Sequence, residues 1–213
     1  MQPTLIYCYD AYCGWCYGFS PVITKVSEEY KGRLEMEVLS GGMVLPVKPV
    51  PIKATAHYIS KAYKNVEELT GVKFGKDYLW HINNPDESDW YPDSLLPAIA
   101  LCIFKEYYPA RAIEAASDLQ HALHYEGRDL TDNEAYLPLL EKYSIQPEAF
   151  YEKLLSSEYE EAARYEFSLV KQLKVDGFPC VFIQTGELKF HLVAKGYTDY
   201  HLLKERIDNV LKK

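Results

Sequence analysis

The sequence predicts an α/β protein arranged as β-α-β, a long all-helical insertion, and then α-β-β-α. Three observations predict it. Strand-period and helix-period apolar residues alternate from Thr4 to Leu39. No convincing strand signal occurs between Pro46 and Ser157. Strand signals then return as a pair around the hairpin-length turn Thr185-Gly186. The implied organisation is a two-part domain, residues 1–45 and 158–213, interrupted by a helical unit at 46–157.

The elements follow in order. Thr4 to Asp10 is apolar on both faces, Leu5, Tyr7 and Tyr9 alternating with Ile6 and Cys8, as in a buried strand. Phe19, Val22, Ile23, Val26 and Tyr30 then recur at helical spacing until Gly32. Leu34 to Leu39 alternates with period two and stops at Gly41-Gly42. Strand, helix, strand in so short a span requires a parallel pair and a right-handed crossover. Pro46, Pro49 and Pro51 form a stiff connector. Beyond it, helical recurrence marks Ala54–Leu69, Ser94–Tyr107, Ala110–His124 and Asp132–Tyr143, with a loop at Pro85–Asp89. Tyr159, Ala163, Phe167, Val170 and Leu173 lie on one face of a long helix that stops by Gly177. Cys180–Gln184 and Leu188–Val193 are the paired strands. Tyr200, Leu203, Ile207 and Val210 form a last amphipathic helix, capped by Thr198 or Asp199.

Composition narrows the function. A net charge of −8, with 23 Lys and Arg scattered among 31 Asp and Glu, argues against a phosphate-tracking surface, so no nucleic-acid partner is expected. No apolar run approaches the ~18 residues that would span a membrane. The opening Met1-Gln2-Pro3 carries no basic leader, so no secretory signal is expected. Five cysteines without framework spacing suit a reducing compartment, and a cytoplasmic location is expected. Nineteen tyrosines are an excess that core edges absorb, or that an aromatic binding surface uses.

The chemistry concentrates at Cys13-Gly14-Trp15-Cys16, directly after a buried strand and at the start of a helix. A thiolate at Cys13 there faces backbone N–H groups with no intrahelical partner. The helix terminus contributes about 0.3–1 kcal/mol, up to about 2 in favourable geometry. Hydrogen bonds to a charged acceptor add about 1.5–3 kcal/mol each. Cys13, at the exposed lip, is expected to attack a substrate disulfide, and Cys16, one turn in, to resolve the mixed disulfide. No second CxxC accompanies the first, so no metal site is expected. His121 and His124 read as a helix-surface pair. Cys8, Cys102 and Cys180 read as small buried hydrophobes. Tyr12, Trp15 and Tyr17 suit an apolar collar, and Phe19 the core.

Tyr12-Cys13-Gly14-Trp15-Cys16 after an apolar strand, Pro21 in the following helix, and Gly177-Phe178-Pro179 before Cys180-Val181-Phe182-Ile183 together resemble thioredoxin-fold proteins. The helical insertion resembles the DsbA-like branch, in particular its cytosolic FrnE-type members and predicted protein-disulfide isomerases. The resemblance implies a thioredoxin fold, a cis bond before Pro179, and dithiol–disulfide exchange on protein or peptide disulfides. It further implies substrate contacts from Gly14, Trp15, Phe178 and Pro179. The dithiol itself is then the redox centre, without a bound cofactor, and glutathione or another thiol is the electron donor. Two departures stand out. The dipeptide Gly14-Trp15 matches neither reductase-like nor strongly oxidising sites. The strand residues Leu5–Tyr9 also lack the buried acid of many relatives, and Asp10 at the strand end reads as solvated. Two alternatives stay open. One is a glutathione-dependent isomerase or transferase of the kappa-class and hydroxychromene carboxylate isomerase type, which uses Ser without a second thiol. The other is a non-catalytic peptide-binding module.

Overall fold

The computed structural model describes residues 2–212. Its sheet has four strands in the order β2-β1-β3-β4. β1 (Thr4–Tyr9) pairs in parallel with β2 (Glu35–Ser40) and antiparallel with β3 (Cys180–Gly186), which pairs antiparallel with β4 (Lys189–Lys195). The period-two pattern of β1 sorts its side chains between two cores. Leu5, Tyr7 and Tyr9 join the main apolar cluster with Phe19 and Ile23 of α1 (Gly14–Glu29). Ile6 and Cys8 join Leu39, Cys180 and Phe182 in a smaller cluster, closed by Val170 of α8 (Ser157–Gln172). Both faces are therefore covered, which is why the strand reads as one apolar run.

α1 crosses from β1 to β2, as predicted. α9 (Tyr200–Leu211) packs on the same side with Leu203 and Ile207 fully buried, and its cap is Asp199, which accepts the His201 and Leu202 N–H groups at 2.9 and 3.1 Å. Between β2 and α8 lie α2 (Lys53–Thr70), α3 (Lys76–Asn83), α4 (Leu95–Tyr107), α5 (Ala112–His124), α6 (Leu137–Tyr143) and α7 (Pro147–Leu154). α3 and α7 are eight residues each, too short for a periodic signal to stand out in the sequence. Leu101, Phe104 and Leu119 of the inserted helices belong to the same apolar cluster as the sheet.

Two contacts seat the helices on the sheet. α2 crosses α1 at Gly18, where a Cβ would lie 2.7 Å from Val66 Cγ1, so only glycine admits that approach. On the opposite side, Lys105 of α4 donates to Glu166 of α8 at 2.8 Å, to Glu37 of β2, and to the Val38 carbonyl at 2.7 Å. The other oxygen of Glu166 accepts the Ser40 N–H at 2.8 Å. No helix among the described residues is long and apolar enough to cross a membrane.

Candidate active site

Cys13 is the N-cap of α1, and its Sγ accepts the Cys16 N–H at 3.3 Å. This is the orphan-amide geometry expected at a helix start. Across the site the Cys13 thiol lies 3.6 Å from the Phe178 carbonyl oxygen, to which it donates. Cys16 is fully buried, and desolvation, followed by its contact with Cys13, pushes its thiol well up. Cys16 is the more deeply buried of the two sulfurs, as the sequence predicts. One detail is corrected: Cys13 is only 6% exposed and lies at the floor of a cleft, not on an exposed lip.

The Phe178–Pro179 bond is cis. Phe178 is held by its ring, which lies over Gly41: a Cβ there would come within 2.0 Å of Phe178 Cζ. The glycine pair that reads as a strand stop thus makes room for the loop that faces the dithiol. Gly14, Trp15 and Phe178 line the cleft. Pro179 is buried one residue behind them, its carbonyl accepting the Gly196 N–H at 2.8 Å.

Asp10 requires a larger correction. It is 1% exposed, and its carboxylate accepts the Met43 N–H at 2.7 Å, the Ser94 hydroxyl at 2.9 Å and the Tyr12 N–H at 3.0 Å. Burial raises its pKa, and the hydrogen bonds oppose that rise. Two of these partners, Met43 and Ser94, lie far along the chain, which is why the strand-end position alone suggests solvation. The Asp10 carbonyl meanwhile accepts from Cys13 N at 3.1 Å and Gln120 Nε2 at 3.2 Å, fixing the turn into the motif.

His124 is also misread from sequence. His121 is half exposed, but His124 is 1% exposed, ringed by Tyr17, Phe74 and Tyr78, with Nε2 at 3.1 Å from the Ala11 carbonyl. It therefore holds the residue two before Cys13. Desolvation lowers its pKa to about 3. Because the folded value lies below the unfolded one of about 6.5, its stabilising effect is complete above that pH. It is lost as the pH falls toward 3, at up to about 1.4 kcal/mol per pH unit. Urea titrations at pH 7 and pH 5 should show wild type losing about 2 kcal/mol more than His124→Gln. Equal losses in the two proteins would mean that His124 does not stay neutral in the fold.

The cleft above Cys13 has a volume of about 450 Å³. Its far wall comes from the insertion: Tyr58, Ile59, Tyr63 and Val66 on α2, with Phe74 behind. Sequence alone does not mark these residues as part of the site. Their signal was present, because they share the one apolar face of an otherwise polar helix. What periodicity lacked was the direction in which that face points.

A thioredoxin-type sheet, a dithiol at the start of its first helix and a cis-proline loop facing the leading sulfur define the class. The chain belongs to the DSBA-like thioredoxin domain family, which matches residues 4–208. No curated protein matches the sequence. Among solved structures, a protein from Nitrosomonas europaea provisionally assigned as a protein disulfide isomerase superposes with a TM-score of 0.85 at 23% identity, covering 100% of this chain and 98% of that one. The cytosolic disulfide reductase DsbM from Pseudomonas aeruginosa superposes with a TM-score of 0.78 at 26% identity, covering 98% of each chain, and has also been solved with glutathione. A 2-hydroxychromene-2-carboxylate isomerase shares the fold at 15% identity, with a TM-score of 0.64 over 98% of this chain and 96% of that one.

Proposed function

We propose that this protein is a thiol–disulfide oxidoreductase that reduces or isomerises protein or peptide disulfides through Cys13 and Cys16. The observation that carries the reading is the placement of Cys13 Sγ at the α1 N-cap, on the floor of an apolar cleft and opposite the Phe178 carbonyl. The Cys13 thiolate attacks one sulfur of the substrate, forming a mixed disulfide and expelling the other sulfur as a thiolate, which takes up a proton. Cys16 then attacks Cys13, closing the Cys13–Cys16 disulfide and releasing the second substrate thiol. Two thiols of a donor return the pair to the dithiol.

Among the described residues, no backbone hydrogen bond engages the Phe178 N–H or C=O, so an extended substrate segment has a strand edge to pair with beside Cys13. Gly14, Trp15 and the Tyr58–Tyr63 wall receive its apolar side chains, and Pro179 shapes the loop from behind. We take glutathione or another small thiol as the donor. The glutathione complex of DsbM, at 26% identity, supports that choice. The cytosolic setting of DsbM, at 26% identity, supports a cytoplasmic site of action.

The test is reduction of insulin disulfides with glutathione as donor. Wild type is expected to exceed the uncatalysed rate, and Cys13→Ala to fall back to it. Equal rates in the two proteins would remove the proposal.

A further inference from the structure

Tyr7 sits in the middle of β1, 1% exposed, on the face that covers α1. Its hydroxyl is buried and forms no hydrogen bond in the resting arrangement. A hydroxyl left this way weakens the fold, and phenylalanine would fill the same space without that loss. The orphan is not randomly placed. It shares its apolar cluster with Cys16 and Cys13, and Cys16 and then Cys13 are the ionisable groups that act on it most, neither being bonded to it in the resting arrangement. A thiol sulfur is a weak acceptor, but a thiolate is a strong one. The missing partner therefore comes into existence only when Cys16 ionises.

We propose that the Tyr7 hydroxyl is the donor that stabilises Cys16 Sγ as it becomes a thiolate, and thereby sets how fast Cys16 resolves the mixed disulfide. The inference rests on the dithiol reading above and assigns a residue to its second half. In that half, a bond forms between Cys16 Sγ and Cys13 Sγ while the bond from Cys13 to the substrate sulfur breaks. The departing substrate sulfur takes the electron pair and ends with the proton that Cys16 gave up. Tyr7 keeps its own proton throughout: burial, and then the two cysteines, hold its phenol well above its ordinary range. A neutral donor suits this position, since Cys16 already faces Cys13, whose contact disfavours negative charge on it.

The experiment uses the reduced full-length protein and 5,5′-dithiobis(2-nitrobenzoate). Attack by Cys13 releases one thionitrobenzoate, and resolution by Cys16 releases a second, so each half is timed separately. In Tyr7→Phe the second release is expected to slow by about tenfold or more, while the first changes by less than about twofold. The pH midpoint of the second release should move upward. The other titratable groups facing Cys16 are Cys13 at the cap of α1, Tyr9 on β1 and Asp10 just after it, and they are common to both proteins. Thermal stability of Tyr7→Phe should equal or exceed that of wild type, and Tyr7→Met should split the two halves in the same way. An unchanged second release, or equal slowing of both, overturns the role of Tyr7. If wild type shows no second release, the dithiol reading itself fails and the role of Tyr7 goes with it.

Discussion

In a Cys16→Ala variant, substrate will accumulate on Cys13 as a mixed disulfide, and turnover with glutathione will fall toward that of Cys13→Ala. The reason is the division of labour between the sulfurs. Cys13 keeps its amide contact and its opening to the cleft, so it can still attack. The buried Cys16 is the only thiol poised one turn away to displace the substrate, because Cys8, Cys102 and Cys180 lie elsewhere. Cys8 and Cys180 face each other across β1 and β3 in the α8-side cluster, and Cys102 contacts Glu166 at 3.4 Å. Burial pushes Cys8 up to about 12, and also raises Cys102 and Cys180, so none is primed as a substitute. Non-reducing electrophoresis and intact mass of the variant, after incubation with a disulfide peptide, read the outcome. Absence of the adduct would reverse or void the roles given to the two cysteines.

The largest stability effect is expected at Lys105. Its ammonium satisfies Glu166, whose side chain is 8% exposed, and removing it strands that carboxylate in the interior. Losing one partner of a buried pair costs about 3–5 kcal/mol, far more than the 0–1 kcal/mol of a surface pair. Lys105→Met should therefore lower the unfolding free energy by about 3 kcal/mol or more in urea titration. Adding Glu166→Gln should recover part of the loss, since Gln still accepts the Ser40 N–H and carries no charge. A loss below about 1 kcal/mol in the single variant would show that the cluster behaves like an exposed ion pair.

Local pattern was enough for the strands and the longer helices and for placing Cys13 and Cys16 at a helix start. The alternation of Leu5–Tyr9 and the helical spacing from Phe19 to Tyr30 each depend on residues close in sequence; the hairpin was legible too, but its turn falls at Glu187-Leu188, since β3 runs on through the expected turn Thr185-Gly186. The N-cap role of Cys13 likewise follows from its position between strand and helix. The cis bond at Pro179 was reached through resemblance, and the loop it belongs to is seated by Gly41, whose need to be glycine is visible only with the Phe178 ring above it.

The misreadings share one cause: partners distant in the chain. Asp10 looks solvated until Met43 and Ser94 are brought to it, and His124 looks like a surface residue until α5 turns it toward Ala11. The Tyr58–Tyr63 wall is an unaddressed apolar face until Gly18 lets α2 close on α1. By itself the sequence determined the order of the strands and of the helices long enough to show a period, and which sulfurs meet at a helix start, because those depend on period and on neighbours a few residues apart. The fold alone decided which polar groups are buried, which face roofs the dithiol and that the Tyr7 hydroxyl is buried without a partner. Burial and long-range pairing exist only once distant segments are packed together.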